Sequence, residues 1–303
     1  MFEDQLNQFI QDVELNPDDA QAQYNLGLAY SEKGMNDLAL KHLEIALKLE
    51  PQSAEIYNSL GIIYDSKDMP LESSLNYKAA ISLDPDNAEY YVNFGTLFAK
   101  RGLYEEAIIT FSRAIELDEN NELAYSNIGA TYALTGSHNN AIKALEKALS
   151  ISPDSVSVLI NLANCYLEVK EYEKSRNTYN KILKINSEIA DVYTGLAYTY
   201  AIENQHDIAI SYYLKGIDLD PYNPTTHFNL AIAYEKTNQF EQAIEEYEEC
   251  IMLKDDYTKA LYNLIILYIQ TGKTKQALQS IEKLREKEPE LAINIDNILS
   301  QNT

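Results

Sequence analysis

Residues 54–87 read AEIYNSLGIIYDSKDMPLESSLNYKAAISLDPDN, and residues 122–155 read ELAYSNIGATYALTGSHNNAIKALEKALSISPDS. In the first stretch Tyr57, Leu60, Gly61 and Tyr64 stand at i, i+3, i+4 and i+7, and in the second Tyr125, Ile128, Gly129 and Tyr132 do the same. That is the spacing of one face of a helix. The second half of the unit repeats the pattern in Ala141, Leu145 and Ala148, so each stretch predicts a pair of short helices, A and B. Between them lies Asp68 or Gly136, residue types that tolerate the left-handed conformation closing a helix. Pro85 or Pro153 ends the second helix, because the ring cannot continue it.

Working outward, the small residue after the apolar one recurs as Gly27, Gly61, Gly95, Gly129, Ala163, Ala197, Ala231 and Ile265, each 34 after the last. A period of this kind marks a repeat architecture. Eight units then begin at Ala20, Ala54, Ala88, Glu122, Val156, Ala190, Pro224 and Thr258. Numbered within the unit, position 15 is Gly, Asn or Asp except at Lys170. Position 20 is always Ala or Ser, small enough for helices A and B to approach closely. Position 32 carries Pro51, Pro85, Pro153, Pro221 and Pro289. Asp19, Ser53, Asn87, Asn121, Ser155 and Asn223 stand where a side chain can accept from the first amides of the next helix.

These features resemble the tetratricopeptide-repeat family, whose aromatic-x-x-Leu-Gly-x-x-Tyr pattern, followed by Ala, aromatic, Ala and Pro, the chain matches nearly throughout. The resemblance implies an all-α, right-handed superhelix (an α-α solenoid) of helix-turn-helix repeats over residues 20–289. A capping helix precedes it in residues 1–19 and another follows in 290–303. Phe2, Leu6, Phe9, Ile10 and Val13 form the first apolar stripe, and Leu291, Ile295, Ile298 and Leu299 the last. Departures from the pattern are Gln23, Ile265, Ile182 and Leu284.

Composition bounds the function. The chain has 46% hydrophobic and 23% charged residues, and its apolar runs fall well short of a membrane span. An acidic start, Met1-Phe2-Glu3-Asp4, is unlike a secretory signal, and a cytoplasmic protein is expected. Cys165 and Cys250 have no partner motif and read as reduced core residues. A net charge of −23 argues against nucleic acid and for a basic protein as partner. Metal and cofactor motifs are lacking, and catalysis has little support. His42, His138, His206 and His227 fall at repeat positions that do not bring them together, with His227 expected as a packed core residue.

Placing the 24 tyrosines in the repeat assigns all but Tyr24, Tyr90, Tyr198, Tyr212, Tyr222, Tyr257 and Tyr262 to packing positions. Positions 2, 6, 9 and 13 of helix A lie opposite its buried face, and the resemblance implies that they line the concave groove. Position 6 reads Asn25, Ser59, Asn93, Asn127, Asn161, Gly195, Asn229 and Asn263. Asparagine is a mediocre helix former whose amide both donates and accepts. A row of them can hold the backbone of an extended peptide, similar to the asparagine ladder of O-linked N-acetylglucosamine transferase. Inheritance from the repeat pattern is the competing reading.

Beside the row, Asn164, Tyr198, Phe228, Ile232 and Tyr262 form an expected groove floor. The glutamates Glu241, Glu245, Glu246, Glu248 and Glu249 read as a solvated outer face. The paired lysines of a carboxylate clamp are missing, which argues against heat-shock chaperone tails. The leading expectation is a non-catalytic scaffold binding a protein or peptide segment in the groove. A substrate-recognition subunit working with a separate catalytic chain is an alternative, and self-assembly is a third.

Overall fold

The computed structural model describes residues 2–301, with side chains for residues 5–295. Among the described residues there are 18 α-helices and no strand. Helix α1 (Phe2–Leu15) is followed by α2 (Ala20–Glu32), α3 (Asn36–Leu49), α4 (Ala54–Ser66), α5 (Pro70–Leu83), α6 (Ala88–Lys100), α7 (Tyr104–Leu117), α8 (Glu122–Leu134) and α9 (His138–Ile151). Then come α10 (Val156–Glu168), α11 (Tyr172–Ile185), α12 (Ala190–Ile202), α13 (His206–Leu219), α14 (Pro224–Lys236), α15 (Phe240–Leu253), α16 (Thr258–Gln270), α17 (Thr274–Lys287) and α18 (Pro289–Gln301). The chain divides into two compact units, residues 1–161 and 162–303, and the division falls within α10.

The turn inside each hairpin is made by one left-handed residue. Gly34, Gly102, Gly136 and Gly272 have φ of +69° to +74°, and Asp68, Lys170, Asn204 and Asn238 have φ of +58° to +64°. Lys170 departs in residue type alone, since its backbone turns like the others. An L-residue held there carries about 1–2 kcal/mol of strain, most easily relieved by glycine. At the helix starts, Asp19, Ser53, Asn87, Asn121 and Asn223 accept from backbone N–H groups of the first turn. Ile189 and Tyr257 occupy the same place before α12 and α16 and offer no side-chain cap.

Packing between the two helices of a hairpin explains the small residue at position 8. A Cβ on Gly61 would come within 2.7 Å of the Tyr77 ring, one on Gly95 within 2.7 Å of Phe111, and one on Gly129 within 2.7 Å of Leu145. The position-24 side chain therefore lies flat on the backbone of helix A. Burying such a ring contributes on the order of 2–3 kcal/mol. Position 20 is likewise buried, and where it is serine the hydroxyl turns onto the partner backbone. Ser73 donates to the Gly61 carbonyl at 2.8 Å and Ser175 to the Ala163 carbonyl at 2.9 Å.

Position 4 explains the departure at Gln23. The Tyr91 hydroxyl donates to the Pro85 carbonyl, and Gln23 Nε2 reaches the Pro17 carbonyl six residues back in the same way. His227 Nε2 does so with Pro221. Tyr91, Gln23 and His227 share a donor that reaches this carbonyl, whereas the buried Leu159 and Leu261 hold the same position by packing alone. Burial of Gln23 (3% exposed) and His227 (5%) is offset by a second bond to position 23, Gln23 to His42 and His227 to Glu246.

Helix α1 packs on α2. At the other end Ala292 and Ile295 of α18 are buried with Ile281 and Leu284. The side chains of Phe2, Ile298 and Leu299 lie outside the described residues. In the first unit the first helices of successive hairpins, α2, α4, α6 and α8, touch one another, as do α12 and α14 in the second. These A helices form the inner layer of each unit.

Candidate functional site

On the inner layer, position 2 is exposed in all eight repeats (Gln21, Glu55, Glu89, Leu123, Ser157, Asp191, Thr225, Lys259), and so is position 13 (Glu32, Ser66, Lys100, Leu134, Glu168, Ile202, Lys236, Gln270). Between these two rims run positions 6 and 9, mostly half-buried. Each unit thus presents a trough whose centre is the asparagine row.

Asn25, Asn93, Asn127, Asn161, Asn229 and Asn263 are all half-buried, and they are not equivalent. In the first unit Asn93 Nδ2 donates to Oδ1 of the buried Asn58 at 3.0 Å, and Asn127 Nδ2 donates to Thr96 Oγ1 at 3.2 Å. Ser59 takes the corresponding place against the Tyr24 hydroxyl at 3.2 Å. Each bond joins one A helix to the previous one. Asn25 accepts from Gln21 and lines a small recess of about 160 Å³ with Leu6, Phe9 and Leu28. In the second unit Asn263 Nδ2 donates to the Tyr247 hydroxyl at 3.2 Å, which itself donates to Glu235. Burial, then the Glu235 carboxylate, raises the Tyr247 phenol pKa, so it stays a neutral donor. Asn161 and Asn229 make no side-chain hydrogen bond among the described residues.

Part of the row is therefore structural. A primary amide carries two donor hydrogens and an acceptor oxygen, so an asparagine that spends one N–H on its neighbour keeps the rest for a ligand. Asn161 and Asn229 keep everything.

The gap at Gly195 has a local cause. Tyr179 fills the space, with its hydroxyl 2.6 Å from where a Cβ would stand, and donates to Asn164 Oδ1. Burial pushes the Tyr179 pKa up to about 12, which keeps that donor neutral.

The expected floor residues separate into two kinds. Asn164 and Tyr198 are exposed, Tyr198 to 41%. Phe228, Ile232 and Tyr262 are half-buried and pack into the core of the second unit, with Phe228 at 5.0 Å from the Tyr257 ring and 5.9 Å from Tyr247. Three apolar residues that sequence reasoning left out of the floor stand on the same face of the first unit, Ile62 at 42%, Leu123 at 53% and Leu134 at 68% exposure. Their signal was present, an apolar residue at position 9, 2 or 13 of the helix, where polar residues are usual for a solvated face.

Cys165 and Cys250 are buried free thiols, and burial raises their pKa to about 11 and about 12. Neither is a nucleophile at neutral pH. Glu246, expected on a solvated face, is half-buried against His227. Among the described residues no group of His, Cys, Asp and Glu could hold a metal ion, and no helix is long and apolar enough to cross a membrane.

Family models of the tetratricopeptide repeat match the chain in succession. One matches residues 20–53, 54–87 and 190–223, a second residues 76–109 and 212–245, and a third residues 133–197 and 239–300. A model described as TPR repeat matches residues 95–136. No curated protein sequence matches the chain. Among solved structures, pilF of Pseudomonas aeruginosa is 22% identical with a TM-score of 0.61, the match covering 73% of this chain and 96% of that one. YrrB, described as a TPR protein with an unusual peptide-binding site, is 21% identical with a TM-score of 0.54, covering 62% and 96%. Cut9, from the APC/C heterotetramer Cut9–Hcn1, is 18% identical with a TM-score of 0.63, covering 88% and 52%. At these identities the likeness is one of fold.

Proposed function

Since the chain belongs to the tetratricopeptide-repeat family, a scaffold fold typical of protein–protein interaction, we propose that it is a non-catalytic scaffold holding an extended segment of another protein along the inner face of its A helices. The observation that carries this reading is the trough of each unit. Its centre offers amides with unused hydrogen-bonding capacity, completely so at Asn161 in the first unit and Asn229 in the second, and apolar side chains stand exposed beside the row at Ile62, Leu123 and Leu134 in the first unit and Tyr198 in the second. Exposed apolar groups on a rigid polar surface are what a partner covers.

Amides that bond a guest backbone give affinity with little dependence on its sequence, and the apolar groups supply selectivity. The description of YrrB as peptide-binding supports the same use of the fold. A cytoplasmic setting fits this reading.

The test uses the two asparagines that hold nothing inside the chain. Peptides selected from a displayed random library against the wild type are titrated against Asn161→Ala/Asn229→Ala. Weakening of about tenfold with unchanged thermal stability is expected, since each lost hydrogen bond is worth about 0.5–1.5 kcal/mol. Equal affinity for both proteins would remove the groove as the binding surface.

A further inference from the structure

The net charge of −23 makes a basic partner the simple expectation, but the inner face of the second unit does not follow the net charge. Its position-2 rim runs Asp191, Thr225, Lys259, and its position-13 rim runs Glu168, Ile202, Lys236, Gln270. On each rim an acid precedes a base by two repeats, with an uncharged residue between. All four charged side chains are exposed, and among the described residues none forms an ion pair. Three ion pairs stand elsewhere in this unit, Lys174 with Glu171, the half-buried Arg176 with Glu203, and Lys287 with Asp255. The trough between the rims is filled by Asn164, Tyr198, Asn229 and Ile232.

Resting on the groove reading above, we propose that the guest segment of the second unit carries a basic and an acidic side chain roughly six residues apart, with apolar residues between them. The basic one reaches the acid of one rim, Glu168 or Asp191, and the acidic one the base of the same rim two repeats on, Lys236 or Lys259. The spacing follows from geometry. Packed helices lie about 8–10 Å apart, so two repeats span roughly 16–20 Å, and an extended chain advances about 3.3 Å per residue. Tyr198, exposed beside the acidic end, adds a ring face for the cation. Because the acids lead and the bases follow, the arrangement also fixes which way the segment runs. Opposed charges at both ends reject a segment laid in reverse by like-charge contact, which discriminates more than it binds.

The experiment is selection from a displayed library of 16-residue peptides against the full chain and against the charge-exchanged variant Glu168→Lys/Asp191→Lys/Lys236→Glu/Lys259→Glu. Circular dichroism checks that the variant is folded. The wild type is expected to enrich peptides with Lys or Arg and Asp or Glu five to seven positions apart, and the variant to enrich the opposite order. Reversing one charge in a selected peptide should weaken its binding to the wild type by about three- to tenfold. Peptides that depend on Asn161 and Asn229 yet show no charge pair, or the same order from both proteins, would overturn the charge register and leave the groove reading intact. If no peptide depends on those asparagines, the groove reading fails and takes this inference with it.

Discussion

The hydroxyl of Tyr179 occupies the place that a side chain on Gly195 would need, 2.6 Å from the would-be Cβ, and donates from there to Asn164. The interruption of the asparagine row is thus an exchange of one hydrogen-bonding group for another across a hairpin boundary. Gly195→Asn should force the ring aside and cost about 1–2 kcal/mol, the lost bond outweighing the gain in helix propensity. Tyr179→Leu in the same chain, the residue type at Leu43 and Leu145, should recover most of that loss. Urea denaturation of the wild type and the two variants measures it.

Lys170 is the one left-handed turn residue of the eight that is neither glycine, asparagine nor aspartate. Lys170→Gly is expected to stabilise the chain by about 1 kcal/mol, because the strain relieved exceeds the chain entropy that glycine adds to the unfolded state. Gly136→Lys should destabilise by a similar amount. A thermal shift of the same sign in both variants would show that the backbone conformation is not the cause.

The inter-repeat asparagines and the free ones should separate cleanly in stability. Asn93→Ala leaves the oxygen of buried Asn58 without its donor and should cost about 1–3 kcal/mol. Asn161→Ala should fall within about 0.5 kcal/mol of the wild type. Hydrogen exchange in α4 and α6 would report the first loss locally.

Two histidines respond to pH with opposite signs. The hydrogen bond to Glu246 raises the His227 pKa above its ordinary 6.5, so its stabilising bond is fully present below that value and is lost as pH rises through the folded pKa. Burial lowers the His42 pKa below 6.5, so its contribution is present above that value and is lost as pH falls through the folded pKa. Amide exchange is therefore expected to quicken in α14 and α15 on raising the pH from 6 and in α2 and α3 on lowering it. His227→Tyr keeps the donor to the Pro221 carbonyl and should abolish the first effect, leaving the second.

Most of the fold was legible because a repeat presents the same evidence eight times. A single glycine or alanine after Leu60 or Ile128 means little, but its return every 34 residues fixes the helix pair, the turn and the register together. The site was legible only as positions. That position 6 is asparagine and faces away from the core follows from the helical period. What each amide touches depends on its neighbours in the adjoining helices, which no single unit contains.

By itself, then, the sequence determined the all-α repeat and the register of its helix pairs and turns, since these depend on local propensity and on contacts between residues at fixed short spacing. Only the tertiary structure decided that Asn93 and Asn127 are tied to the previous repeat while Asn161 and Asn229 are free, and that Lys170 turns as glycine does. It also decided that Phe228 is half core while Leu123 and Leu134 stand exposed. Hydrogen bonds and exposure are settled by side chains that meet across helices, and which rotamer fills a shared space is a property of the pair.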